Sequence, residues 1–286
     1  MKSGRILTVE DHSRDGAGLT YIYPVVSRRA GGVSLGINLN PNNACNFRCV
    51  YCQVPNLTYG KAPAIDLELL EDELTAFLKD ILHGEFMTRH VPAEARSLKD
   101  VAFSGNGEPT SVADFDAVVQ RVITAMAAAE VAPAVKLRLI TNGSLGHKGH
   151  VQRGLARMAA RNGEVWFKLD AGDDETMVSI NNFPGGISRH VNRLREVAGR
   201  CPTWIQTCMF ARHGRPLSDV AVDRWINLLS AETEAGTPLE GVYLYGLARQ
   251  SFQPEAATLS PLTASHLEDI AHRLTRASGL RVVVKT

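Results

Sequence analysis

The sequence predicts an α/β protein, a partial (β/α)6 TIM-like barrel with a parallel sheet and a polar lumen. From Leu35 onward, short apolar runs alternate with helical patterns of a dozen residues or more, and six such units can be counted. Side chains on a strand point to opposite faces with a period of two, and in several strands one of those faces is polar. The residues with marked chemical character fall just after strands, where parallel α/β folds bind their ligands.

Length and composition suit one large domain: 286 residues, 44% hydrophobic and 21% charged. Residues 1–34 read as an irregular lead-in, and 35–286 as the single (β/α)6 domain. Lys and Arg number 31 against 30 Asp and Glu, so the formal net charge of +1 lacks the footprint of a dedicated nucleic-acid binder. A nucleic-acid partner is not favoured. No apolar run is long enough to span a membrane. The N-terminal stretch MKSGRILTVEDH has no apolar core for export, and five cysteines is an odd count for a disulfide framework. Both features lead to the expectation of a cytoplasmic, reduced protein.

In chain order, the lead-in ends in SRRAGGVSLG, where Arg28 and Arg29 are either solvated arginines or contacts for an anionic substrate. Strands are expected near 35–40, 100–105, 136–142, 165–171, 203–210 and 241–247. Helices are expected near 66–83, 112–129, 148–161, 187–199, 217–233 and 263–278. Asp66 is placed to cap the first helix and Gly84 to stop it, and Thr263 stands at the start of the last. The terminal RVVVKT is a candidate edge strand. The polar face is formed by Asn38 and Asn40, Lys168 and Asp170, Gln206 and Cys208, and Tyr243 and Tyr245. With the apolar face against helices, that polar face encloses a cavity.

After the first strand, PNNACNFRCVYCQ sets Cys45, Cys49 and Cys52 at C-x3-C-x2-C spacing. Three thiolates so close make a metal clip. Such a clip is a zinc knuckle completed by a distant ligand, a disulfide with a spare thiol, or an iron-sulfur cube with one iron open to a non-protein ligand. After the second strand, SGNGEPT supplies Gly105 and Gly107 for close backbone approach, Pro109 for the turn, and the Glu108 carboxylate, suited to an ammonium group.

The cysteine motif, with Tyr51 just before its last cysteine, resembles that of the radical S-adenosylmethionine (SAM) enzymes. SGNGEPT is similar to the family's Gly-Gly-Glu-Pro loop, with Asn106 in place of the second glycine. The resemblance runs from about Val26 to Leu247. SRRAGGVSLGINLNPNNACNFRCVYCQ and KLDAGDDETMVSIN look like a branch that includes wyosine-type tRNA base synthases, but the cysteines that hold a second cluster there are missing before Cys45.

The resemblance implies one 4Fe-4S cluster on Cys45, Cys49 and Cys52, with SAM on its open iron. It also implies reductive cleavage of SAM to a 5'-deoxyadenosyl radical that abstracts hydrogen from a small-molecule or peptide substrate. Electrons would come from a flavodoxin- or ferredoxin-type donor. The loop Gly105, Asn106, Gly107, Glu108 and Pro109 would bind the SAM amino group; Asp170, Asn142 and Ser144 the ribose; and Tyr51, Tyr245, Gly246 and Leu247 the adenine. Lys168 is an ion-pair partner of Asp170 or a contact for the SAM carboxylate or substrate. Gln206 and Tyr243 fall to substrate, and Cys208 is a buried small hydrophobe or a hydrogen-atom donor. Cys201, before the fifth strand, reads as a small buried or loop residue. Other readings are a tRNA base-modifying enzyme of the same superfamily, an electron-transfer iron-sulfur protein, and a cluster-based sensor.

Overall fold

The computed structural model describes residues 6–8, 18–27 and 31–285. Arg28 and Arg29 lie outside the described residues. Strand β1 (Ile22–Ser27) runs antiparallel to β2 (Gly32–Asn38). The cysteine loop follows β2 and holds the short parallel pair β3 (Ala44–Cys45) and β4 (Thr58–Tyr59). Helices α1 (Leu67–His83) and α2 (Phe86–His90) lead to β5 (Leu98–Ser104). Then come α3 (Phe115–Ala128), β6 (Lys136–Thr141), α4 (Gly149–Ala160) and β7 (Gly163–Lys168). Helices α5 (Asp174–Asn181) and α6 (Ile187–Ala198) precede β8 (Thr203–Cys208) and β9 (Phe210–Arg212). The chain closes with α7 (Asp219–Glu234), β10 (Leu239–Tyr245), β11 (Leu259–Pro261), α8 (Ala264–Ser278) and β12 (Val282–Lys285).

Among the described residues the main sheet has eight strands in the order β1-β2-β5-β6-β7-β8-β10-β12, parallel from β2 onward. It curls into a partial TIM-like barrel with helices outside. The six βα units are present, RVVVKT contributes β12 at the edge, and the lead-in contains the further strand β1. The sequence IYPVVS hides that strand because Pro24 interrupts it, and an edge strand tolerates a proline that a central one does not. Tyr23 on β1 crosses the barrel wall over Gly36, where a Cβ would meet its ring at 2.2 Å, and its hydroxyl reaches Ser104 Oγ at 2.6 Å. A second element the sequence pattern misses is α5, whose eight residues begin at Asp174, just past the strand expected near 165–171. Asp173 caps it, accepting from Thr176 N at 2.8 Å.

The core lies between the outer sheet face and the helices. Leu70, Leu74, Leu78 and Ile81 line one side of α1 at helical spacing and are fully buried, worth about 1.5–3 kcal/mol each. On the inner face Ser34 and Arg138 both bond Asp100, and Arg138 Nε donates to Glu164 Oε1 at 2.6 Å. Trp166 Nε1 joins the same oxygen at 2.9 Å. This buried ion cluster ties β2, β5, β6 and β7 together at depth and leaves the loops at the strand ends to form the mouth.

Candidate functional site

A cavity of about 890 Å³ opens at the carboxyl ends of the strands and extends into the lumen. Cys45, Cys49 and Cys52 line it, as do Tyr51, Gly105, Asn106, Gly107, Glu108, Asn142, Lys168, Gln206, Cys208, Tyr245, Gly246 and Leu247. Most of the residues singled out in the sequence therefore meet in one chamber. None of the five cysteines forms a disulfide, and Cys201 is buried.

The cysteine loop is held from three sides. Val50 N donates to Ile180 O at 2.8 Å and Arg48 N to Asn181 O at 3.1 Å, so the last turn of α5 supplies otherwise unpaired carbonyls to the loop. Behind it, Ser251 Oγ donates to Val50 O at 2.7 Å, Phe252 N to Cys52 O at 2.9 Å and Gln253 Nε2 to Val54 O at 3.0 Å. Arg48 pairs with Glu255 at 2.9 Å. Phe47 stacks on Phe183 with centroids 4.2 Å apart, and Cys49, Val50 and Tyr51 pack against Met177, Ile180, Cys208 and Phe210.

Two of the three sulfurs face donors. Phe47 N points at Cys45 Sγ at 3.4 Å, Asn142 Nδ2 at the same sulfur at 3.8 Å, and Asn181 Nδ2 at Cys49 Sγ at 3.2 Å. Burial pushes the Cys49 thiol up to about 12 and raises Cys45 as well. Metal binding at such thiols releases protons, and N–H donors then suit the thiolate charge. Among the described residues no three or more His, Cys, Asp or Glu side chains converge on one ion position. A four-iron cube takes one thiolate per iron, so its ligands stand around the cube without converging on a point. The donor set of three soft thiols fits that group.

Several expected contacts are redirected. Asp170 is not on the cavity wall: β7 ends at Lys168, so the two-residue alternation no longer orients it. Its buried carboxylate accepts from Tyr51 Oη at 2.5 Å, Asn181 Nδ2 at 2.8 Å and Cys208 N at 2.9 Å. It is a hub inside the protein that joins the cysteine loop, α5 and the end of β8. Ser144 also stands behind the wall, bonded to Asn142 Oδ1 at 2.7 Å and accepting from Asn46 Nδ2 at 2.7 Å. Tyr243 is packed between Trp166 and Trp204, with centroids at 4.7 and 4.5 Å, and does not line the cavity. Pro109 is buried behind its loop, within a short 3-10 turn.

Glu108 is almost fully buried, and four protein donors already meet its carboxylate. Oε1 accepts from Thr110 N at 3.1 Å, Thr110 Oγ1 at 2.5 Å and Thr141 Oγ1 at 2.6 Å, while Oε2 accepts from Asn142 N at 2.7 Å. It fastens the loop after β5 to the loop after β6. The two glycines admit protein atoms: a Cβ at Gly105 would meet Asn38 Oδ1 at 2.5 Å, and one at Gly107 would meet Ala44 O at 2.0 Å. The glycine loop is thus pressed onto the cysteine loop, and Asn106 Nδ2 adds a bond to Asn43 Oδ1 at 2.7 Å.

On the opposite wall Lys168 Nζ lies 3.3 Å from the hydroxyls of both Tyr51 and Tyr245, and 5.0 Å from the centre of the Tyr51 ring. Burial opposes its charge, but Tyr245 and Asp170 outweigh it and hold the ammonium protonated. Gln206 pairs across the sheet with Lys168 and Tyr243. It is 1% exposed, and its Nε2 has no hydrogen-bond partner among the described residues. Asn46 and Asn181 are neighbours of the cysteines that lie inside PNNACNFRCVYCQ and KLDAGDDETMVSIN without a role expected from them there, and the 251–253 segment carries no motif.

No family model matches the chain. Over 158 residues, 55% of this chain, it is 28% identical to a protein named GTPase Obg from Brachyspira hyodysenteriae (strain ATCC 49526 / WA1), of which it spans 20%. Among solved structures it is similar to a radical SAM methyltransferase from Sphaerobacter thermophilus, with a TM-score of 0.61 and 14% identity over 92% of this chain and 68% of that one. Streptococcus suis SuiB bound to S-adenosylmethionine gives 0.55 and 13% identity over 91% of this chain and 52% of that one. TYW1 with a lysine-pyruvate adduct gives 0.54 and 17% identity over 87% and 74%. The chain spans about a fifth of the curated relative it matches and about half of SuiB. What is shared at these identities is architecture, and the fold of this chain is the partial TIM-like barrel of radical SAM structures.

Proposed function

We propose that this chain is a radical SAM enzyme whose single 4Fe-4S cluster is held by Cys45, Cys49 and Cys52. One observation carries the reading: the three thiols of one loop line the same cavity as the glycine loop, at the mouth of a barrel shared with a radical SAM methyltransferase. With SAM bound, such a cluster supplies one-electron reductive cleavage to a 5'-deoxyadenosyl radical, with the electron taken from a flavodoxin- or ferredoxin-type donor.

The chain's own part is binding and exclusion. The edge of Gly105–Gly107 with Asn106 receives the SAM amino group, since the Glu108 carboxylate is committed to Thr110, Thr141 and Asn142. Of the three residues assigned to the ribose, Asn142 is the one that lines the cavity, and Gly246 and Leu247 flank the adenine. Lys168 offers its ammonium to a carboxylate, of SAM or of substrate. Gln206 faces the substrate side, where its unpaired N–H suits a carbonyl or carboxylate oxygen. Cys208 lies in the same chamber, 1% exposed, as a candidate hydrogen-atom donor. The protein named GTPase lends no GTP hydrolysis to this reading, because G-x-x-x-x-G-K-[ST] occurs nowhere in the sequence.

Anaerobic reconstitution should load about four irons per chain, as one cube requires. Adding dithionite and SAM should then yield 5'-deoxyadenosine, and alanine at Cys45, Cys49 or Cys52 should abolish both. One zinc without sulfide, or a loaded cluster that never cleaves SAM, sinks the proposal.

A further inference from the structure

Asn181 is the last residue of α5 and 3% exposed. Its carboxamide nitrogen lies 3.2 Å from Cys49 Sγ and 2.8 Å from Asp170 Oδ2. A carboxamide has two N–H groups, and here each has its own acceptor. The direction of the amide follows from Asp170: a carboxylate accepts only, so the nitrogen must face it, and the second N–H is then aimed at the sulfur. Asp170 itself cannot turn away, since Tyr51 Oη and Cys208 N hold its two oxygens from other elements. The backbone is equally constrained. Arg48 N donates to Asn181 O at 3.1 Å, and Asn182, left-handed at φ 49°, returns a side-chain bond to Arg48 O at 2.8 Å.

We propose that Asn181 sets the reduction potential of the cluster through this N–H···S hydrogen bond to Cys49, with Asp170 as the group that orients it. The inference rests on the cluster assignment above. Reduction adds negative charge that the thiolate sulfurs share, so a donor at one sulfur stabilises the reduced form more than the oxidised one and raises the potential. The surroundings concentrate the effect. Cys49 is packed among Phe47, Val50, Met177 and Ile180. In such apolar packing a charge-assisted bond is screened little. Cys45 has the looser pair of donors at 3.4 and 3.8 Å, so among the described residues the shortest N–H···S contact of the three sulfurs is at Cys49.

The test is a potentiometric titration of the reconstituted holoprotein, read by the electron paramagnetic resonance signal of the reduced cluster, for wild type and Asn181→Leu. At a fixed solution potential the variant should show an approximately tenfold lower ratio of reduced to oxidised cluster, equivalent to about 59 mV for one electron. An unchanged midpoint with a full iron complement overturns the proposal and leaves the cluster assignment standing. A wild type that loads no cluster overturns both. If Asn181→Leu loads poorly, wild type labelled with 15N-asparagine supplies the reading: pulsed resonance should detect a nitrogen coupled to the cluster, and the coupling should persist in Asn142→Ala. Its absence there overturns the role of Asn181.

Discussion

The Tyr51 hydroxyl donates to Asp170 Oδ2 across 2.5 Å, and Asn181 Nδ2 joins the same oxygen at 2.8 Å. One carboxylate beyond the end of β7 therefore connects the cysteine loop, α5 and, through Cys208 N, the end of β8. Placed on the ribose, Asp170 would be a residue whose loss weakens SAM and leaves the cluster alone. Buried as a hub, its loss has a different signature.

Asp170→Ala should unfold more easily by about 3–5 kcal/mol, because it strands a buried hydroxyl and two buried N–H donors. The same variant should retain fewer irons per chain after reconstitution. Urea unfolding and iron assay decide it. Native stability and full iron with weakened SAM binding would return Asp170 to the ribose.

His190 is 2% exposed, wedged between Phe167 and Phe47, with its Nε2 2.8 Å from Lys168 O. Burial lowers its pKa from 6.5 to about 4. The folded state holds this ring neutral while the unfolded chain protonates it, so between those values the unfolded state binds more protons. The stabilisation is complete above pH 6.5 and falls away as the pH drops towards 4, by roughly 3 kcal/mol. His190→Gln, which can still donate to Lys168 O, should flatten that part of the stability profile. A profile of unchanged slope would locate the titration elsewhere.

Among the described residues the buried Gln206 Nε2 has no hydrogen-bond partner, a cost of about 1–3 kcal/mol in the absence of substrate. Gln206→Leu should consequently raise the urea midpoint of the substrate-free protein while impairing turnover of the true substrate. A variant no more stable than wild type would mean that the amide already finds a partner at home.

Spacing along the chain was sufficient for the six βα units, the helix starts at Asp66 and Thr263, and the three cysteines in one loop. Each is a local property: periodicity follows from backbone geometry, caps from the first turn of a helix, and a metal clip from a few residues of contour. The meeting of that loop with Gly105–Glu108, Asn142 and Lys168 was also legible, because a parallel sheet gathers its strand ends on one side. The direction of each side chain past a strand end was not. Asp170 and Ser144 turn inward because Tyr51, Asn181 and Asn46 come from distant elements to meet them, and Glu108 is absorbed by Thr110 and Thr141. The role of Asn181 could arise only in the folded protein. Its partners are Cys49, 132 positions away in the chain, and Asp170, 11 away on the far side of a helix, and no periodic pattern encodes a pairing that packing alone brings within hydrogen-bond distance.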